Sequence, residues 1–298
     1  MKRHTYKKLA FLVSFIFLSG IAISQDSQKP FKVITYNIWN GFDWGKDNDR
    51  KEKLTTWVKS QQPDVLALQE LCGYTQEMLL EDAKKWGHNY AEILKTSGYP
   101  VGITSNQPIE VKEKLLENMH HGALHCSVAD IDFFIIHFSP FSFLKRHEES
   151  KIILDKLSKL PIKQEKYLVL GDFNAFSPHD ADLYKNSNTL LESMQAAEKE
   201  HDHIRNLING KMEYGVIGSL LGYPLIDITQ RYTSGMNERF SCPTQVFETE
   251  KRSEKTKRID YILVSPSLAE KCINAKVFNQ NETYYLSDHY PVMAEFSF

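Results

Sequence analysis

The sequence predicts a single α/β domain behind a short export signal. Three observations carry that reading. Eight short apolar runs, rich in β-branched residues, have the length and composition of buried strands. Three longer stretches space their apolar residues on a charged background, as surface helices do. No Pro/Gly-rich linker divides the 298 residues, although that length alone would admit two small domains.

The first 24 residues stand apart. Lys2, Arg3, Lys7 and Lys8 form a basic head, Leu9 to Ile23 run almost without polar side chains, and Ala22-Ile23-Ser24 places small residues before Gln25. These are the three parts of a signal peptide. The apolar run is short for a membrane span, which favours cleavage over an anchor. No cysteine near the cut could carry a lipid. The domain is therefore expected over residues 25–298, in an exported protein that is secreted or periplasmic.

The expected strands are, in order, Phe31–Tyr36, Val65–Leu68, Val101–Thr104, Leu124–Val128, Phe133–Ile136, Tyr167–Leu170, Ile259–Val264 and Val292–Phe296. Helices are expected over Asn48–Ser60, Thr75–Trp86 and Arg146–Leu160. Asp130 separates two strands tightly and marks a hairpin turn. Residues 179–258 read as less regular, with the charged Lys251–Lys257 as a solvated loop. No repeat of 20–50 residues is visible, which excludes solenoids and propellers.

Composition sets the outer limits. With 42% hydrophobic and 25% charged residues, the chain belongs to neither the disordered nor the multi-span membrane class. A formal net charge of -2 argues against tight binding of a polyanion, but a nuclease needs only transient contact. Cys72, Cys126, Cys242 and Cys272 could pair in three ways in an exported protein; buried free thiols are the plain alternative for Cys72 and Cys126. Their spacing makes no zinc motif.

The chemistry follows from position. Asn37 follows one apolar run, Glu70 another and His137 a third, while Asp172 and Asn174 follow a fourth; Asp260 begins a run, and Asp288 and His289 precede the last. Any one of these could be an ordinary polar strand end. Carboxylates, amides and imidazoles at so many ends point to one edge of a sheet and one site. Glu70 and Asp288 are hard oxygen ligands and Asn37 offers a carbonyl oxygen, a set suited to Mg2+ rather than zinc. Asp172 and Asn174, two apart in an extended chain, point to the same side. Asp260 could pair with His289 and favour its charged form.

The segments VITYNIW, LALQEL, IIHFSP, LVLGDFNA, RIDYILVS and SDHYPV, in this order, resemble the motifs of the endonuclease/exonuclease/phosphatase superfamily, the deoxyribonuclease I-like group that includes abasic-site endonucleases, inositol phosphatases and sphingomyelinases. The resemblance spans about Phe31 to Phe298. It implies an α/β fold of two packed mixed β-sheets flanked by helices, a four-layer sandwich. It implies a metal, Mg2+ or Mn2+, held by Asn37, Glu70 and Asp288. It implies catalytic roles for His137, Asp172, Asn174, Asp260 and His289: Asp172 orienting water, Asn174 and His289 contacting phosphate, Asp260 supporting His289, and His137 as phosphate ligand or leaving-group acid. His121 stands where this family often has Arg, and neutral His is the weaker anion partner.

Other residues divide less clearly. Trp39, Phe42 and Trp44 could line a cleft or pack a loop. His121 and His125 are expected on one strand face with His120 opposite, in phosphate-binding or surface roles; His179, His201 and His203 are expected at the surface. Segment 138–145, FSPFSFLK, is the nearest thing to a membrane-seeking loop, with Lys145 and Arg146 as alternative phosphate neighbours.

The expected activity is hydrolysis of a phosphodiester or phosphomonoester by a monomer needing no stable protein partner. Nucleic acid, a phospholipid such as sphingomyelin, and a soluble sugar or inositol phosphate compete as substrate. A secreted binding protein that kept the fold and lost catalysis is the reading of another class; occupation of every matched polar position speaks against it.

Overall fold

In the computed structural model, residues 29–161, 163–185, 188–246 and 252–298 are described. The leader with its expected start at Gln25 lies outside the described residues, as does Lys251.

The chain folds in the order β1 (Phe31–Asn37), α1 (Trp39–Gly45), α2 (Asn48–Gln61), β2 (Val65–Gln69), α3 (Gln76–Lys85), β3 (Tyr90–Ile93), β4 (Gly102–Ser105), β5 (Glu110–Leu115), β6 (Ala123–Val128), β7 (Ile131–His137) and α4 (Phe143–Ser158). Then come β8 (Tyr167–Asp172), α5 (Ala181–Tyr184), α6 (Asn188–Glu200), β9 (Leu207–Ile208), β10 (Lys211–Met212), α7 (Gly215–Gly222), β11 (Ile226–Asp227), α8 (Ile228–Arg231) and α9 (Met236–Arg239). The chain closes with β12 (Asp260–Val264), α10 (Pro266–Lys271), β13 (Cys272–Val277) and β14 (Val292–Phe296).

Two six-stranded sheets form, ordered β13-β14-β1-β2-β4-β3 and β11-β12-β8-β7-β6-β5. Both are mixed: β1 runs parallel to β2, and β7 parallel to β8, among antiparallel neighbours. The apolar runs are continuous because both faces of each strand find a core. Val33, Val65, Ala67, Phe133, Ile135, Leu168, Leu170 and Ile262 meet between the sheets. The alternate residues Ile34, Leu66 and Leu68 pack outward with Leu54, Val58 and Leu79 of α2 and α3. On the second sheet Phe134, Val169 and Leu263 pack outward with Ile153 of α4 and Ile217 of α7. The expected four layers are thus formed, helix, sheet, sheet, helix.

The helices begin where local chemistry allows. Asp47 caps α2 by accepting from the Arg50 N–H, and Thr75 caps α3 by accepting from the Met78 N–H. The β6–β7 hairpin turns on Ala129 and Asp130, both at positive φ.

Two features depart from the sequence reading. All eight expected strands form, but the four edge strands β3, β5, β11 and β13 were not foreseen. An edge strand need not be apolar: β5 reads EVKEKL and leaves most of its side chains in water. The region 179–258 is also more ordered than its composition suggests, carrying the 13-residue α6 and the eight-residue α7. A buried ion network pins it. Arg258 Nη2 lies 2.6 Å from Asp180 and 2.7 Å from Asp227, and Arg239 Nη1 lies 2.9 Å from Asp180. Within the expected loop, Arg252–Lys255 makes a 3-10 turn and Lys257 bridges to Cys242. All four cysteines are free and buried, so none of the three pairings is made.

Gly171 marks how closely the second sheet is built under the polar strand ends. Its φ is +135°, and a Cβ there would stand 2.0 Å from the Ile136 carbonyl oxygen. Gly171→Ala is expected to destabilise by at least about 2 kcal/mol, roughly 5 °C in Tm. Thermal unfolding checks this, and an unchanged Tm would contradict the close approach.

Candidate active site

One parity rule assembles the site. On β1, residues 31 and 33 face the other sheet, so Asn37 does too, at the strand's end. The same count brings His137 of β7, Asp172 of β8 and Asp260 of β12 to the inter-sheet side. The register sets His137 and Asp260 on either side of Asp172. Residues that would be core lower down become a polar cleft floor where the sandwich ends. Thr35 and Gln69 begin the change, the Gln69 Nε2 donating to the Thr35 hydroxyl at 3.0 Å.

Asp172 is the meeting point. Its Oδ1 accepts from the Asn174 N–H at 2.8 Å, and its Oδ2 accepts from Asn37 Nδ2 at 3.2 Å. The same Oδ2 lies 3.6 Å from His137 Nε2 and 3.9 Å from His289 Nε2. Burial, with Asp260 nearby, raises its carboxyl to about 7. Asp260 Oδ2 pairs with His289 Nδ1 at 2.8 Å. Burial opposes the charge on His289, but Asp260, Asp288 and Asp172 together hold it well above the usual imidazole range. His137 goes the other way: burial, and then the charge on His289, lower it to about 3.

Glu70 sits just beyond β2 at positive φ. Its Oε1 accepts from Asn37 Nδ2 at 3.1 Å and its Oε2 from the Asn40 N–H at 2.7 Å. Asp288 is raised by burial, with the negative charge of Glu70 among the other causes. Two carboxylates close enough to repel are what a hard divalent cation relieves, so Glu70 and Asp288 fit a metal of that class. Asp172, Asp260 and His289 also bring one ligand atom each within 4.8 Å of one another. There the imidazole is held protonated, and a protonated imidazole cannot ligate. The Asn37 amide oxygen accepts from the Trp39 N–H at 3.1 Å while its nitrogen bridges Glu70 and Asp172, so it spaces the two carboxylates. Asn174 spends one amide hydrogen on the Phe138 carbonyl at 3.1 Å and keeps the other.

The first rim segment is unusual. Trp39 to Gly45 take positive φ throughout, a left-handed turn that costs about 1–2 kcal/mol for each non-glycine residue. Arg50 holds it. This buried guanidinium donates to the carbonyls of Ile38 (2.7 Å), Trp39 (3.0 Å) and Leu286 (3.1 Å), tying the Asn37 segment to the Asp288 segment. Gly41 packs so tightly on the Cys72 backbone that a Cβ would lie 2.1 Å from its carbonyl oxygen.

The structure therefore brings Asn37, Glu70, His137, Asp172, Asn174, Asp260, Asp288 and His289 to one end of the sandwich. Sequence reasoning missed the groups that hold them. Ser287 Oγ donates to the Asn37 carbonyl at 2.6 Å, and Ser241 Oγ accepts from the Ile259 and Asp260 N–H groups. Glu149, buried on α4, accepts from the His120 and Ser139 N–H groups. Ser287, the first residue of the SDH motif, carried a signal; Arg50 and Ser241 carried none.

Some expectations are corrected. His121 stacks on His137 with ring centroids 4.1 Å apart, whereas His125 packs on Phe134 and pairs with Asp132 on the outer face. They do not share a face, because β6 begins only at Ala123 and Gly122 breaks the alternation at positive φ. Burial lowers His121 to about 2, so it stays neutral and does not replace a cationic phosphate contact. Arg146 is buried and donates to Ser139 O and Asn206 Oδ1, which removes it as a phosphate neighbour. Phe42 packs in the core and Trp44 is 48% exposed.

Comparison with known proteins agrees with this geometry. The model of the Endonuclease/Exonuclease/phosphatase family matches residues 34–289. The chain is 24% identical to exodeoxyribonuclease III of Haemophilus influenzae over 289 residues, covering 89% of this chain and 99% of that protein. Among solved structures, an AP endonuclease from Archaeoglobus fulgidus superposes with a TM-score of 0.68 at 19% identity, over 90% of this chain and 100% of that one. The 3′ phosphatase NExo from Neisseria, bound to a product DNA hairpin, gives 0.66 at 22% identity with the same coverage.

The opposed histidines give a direct test. In metal-free protein, 15N-histidine NMR is expected to show His289 still protonated where an ordinary imidazole is neutral, and His137 neutral down to about pH 4. Asp260→Asn removes the partner that raises His289, so that signal should titrate at lower pH. A His289 titration unmoved by the substitution would break the assignment.

Proposed function

The chain belongs to the Endonuclease/Exonuclease/phosphatase family, and we propose that it is an exported phosphoester hydrolase using Mg2+ or Mn2+ and acting on nucleic acid. Membership carries the coarse statement, hydrolysis of phosphoester bonds with a divalent metal. The observation behind the finer one is the polarised set around Asp172 Oδ2: a charged imidazole, a neutral imidazole and an amide donor facing one buried carboxylate.

Each residue then has a task. Glu70 and Asp288 would hold the metal, with Asn37 fixing their spacing to Asp172. A divalent cation there would polarise a phosphoryl oxygen and offset charge building on phosphorus. Asp172 orients the attacking water and accepts its proton, for which a carboxyl raised to about 7 is a stronger base than an ordinary one. His289, kept positive by Asp260, stabilises the phosphoryl oxygens in the transition state. His137, kept neutral, donates a hydrogen bond rather than a proton, which favours phosphate ligand over leaving-group acid. The remaining amide hydrogen of Asn174 faces a phosphoryl oxygen.

The DNA-directed relatives support nucleic acid among the three substrate classes. Export rests on the N-terminal 24 residues, and protein sequencing of natively produced material should give a mature start near Gln25.

Activity should appear with Mg2+ or Mn2+ and vanish in EDTA. Asp172→Asn keeps shape and removes charge, so kcat should fall about a hundredfold or more while Tm holds. His289→Ala should cost a similar factor. Asp260→Asn acts through His289, so the Asp260→Asn/His289→Ala pair should be little worse than His289→Ala alone. Full activity in EDTA, or near-normal kcat for Asp172→Asn, would overturn the proposal.

A further inference from the structure

A line of rings leads out of the site along its rim. Trp44, Tyr99, His121, His120, Phe141 and His203 follow one another with centroids 6.1, 5.4, 4.4, 5.4 and 5.2 Å apart. They come from α1, from the loops before β4, β6 and α4, and from the segment after α6. No single local motif explains that convergence. The line joins the chemistry through His121, stacked face to face on His137, which lies 3.6 Å from Asp172. Its outer members stay open to water: Trp44 is 48%, Tyr99 37% and Phe141 39% exposed.

A purely structural rim would bury such rings against one another. Here successive rings meet edge-on or tilted, at 60–82°, and Trp44, Tyr99 and Phe141 keep open surface, while the two histidines nearest the site, His120 and His121, are both lowered by burial and so stay uncharged. Neutral rings suit planar neutral partners. Lys95 and Lys145 lie close enough to act on His120, Lys145 being paired with Glu148 at 2.9 Å, so basic groups stand beside the rings. Part-exposed rings beside lysines, continuous with a phosphoester site, match one chemistry: unpaired bases stacking on the open rings while their phosphates pass basic groups. Bases within a duplex are already stacked and could not use these faces.

We propose that this line of rings is a stacking platform for a single-stranded nucleic acid whose scissile phosphate reaches Asp172. The platform rests on the phosphoester reading of the site and adds a preference for unpaired over paired strands. Its role is substrate binding, independent of the sequence of bases.

The test is fluorescence anisotropy of a labelled 12-residue oligothymidine with Mg2+, in an Asp172→Asn background that does not cut the probe. Adding Trp44→Ala or Phe141→Ala should weaken binding by about five- to a hundredfold each, with Tm unchanged. Phe141→Leu keeps an apolar side chain and loses the ring, and should weaken binding as well. A blunt duplex of the same length should bind more weakly than the single strand and should not respond to these substitutions. Equal affinity across the variants, no binding of the oligothymidine, or equal binding of duplex would overturn the platform. So would ring-dependent binding of sphingomyelin vesicles in place of the oligonucleotide. None of these results touches the phosphoester reading, which fails separately if the unaltered protein hydrolyses no phosphoester with Mg2+.

Discussion

Four carboxylates share one corner, Asp172 and Asp260 buried and Glu70 and Asp288 partly open, and a single charged imidazole cannot neutralise them. Glu70, Asp172, Asp260 and Asp288 act electrostatically on one another there, and burial pushes Asp172 and Asp288 upward. Such a cluster persists only if donors and cations oppose the repulsion. The chain supplies donors at three points: the Asn37 amide between Glu70 and Asp172, the Asn40 N–H on Glu70 and the Asn174 N–H on Asp172. His289 offsets one charge more. The remaining deficit is why a divalent cation belongs to this account, and why the Glu70–Asp288 side is its place.

The sandwich makes the corner possible. Two sheets whose inner faces are apolar along their length end together, so the last inward residue of each strand meets the others across the gap. Arg50 and Glu149 then fix the flanking loops from outside, one through three backbone carbonyls and the other through two N–H groups. The two site histidines diverge for the same local reason. His289 touches a carboxylate through Nδ1 and is charged, while His137 is flanked by His121 and His289 and stays neutral.

The strand ends carrying Asn37, His137, Asp172 and Asp260 were legible because both-face burial forces apolar runs, and a polar residue closing such a run stands out. The edge strands were not legible, since β5 and β13 leave one side in water and lose the apolar signature. Nor was α6, whose register within a charged stretch is set by packing of Leu190 and Met194 onto Tyr184 and Ile259. The supports were hidden for another reason. Arg50 lies in an ordinary charged helix, and its role comes from backbone carbonyls 11, 12 and 236 residues away, which no local pattern encodes. The left-handed run from Trp39 contains glycine at only two positions, so composition gave no warning of it.

The central claim is that the acidic corner is a cation site, and metal-dependent stability tests it without relying on turnover. A cation that binds only the folded protein raises Tm as its concentration passes the dissociation constant. Thermal unfolding of EDTA-treated protein is expected to shift upward with millimolar Mg2+ or Mn2+, and Glu70→Gln should abolish most of that shift. A melting temperature indifferent to either metal in the unaltered protein would contradict the account, leaving the carboxylates balanced by protons and His289 alone.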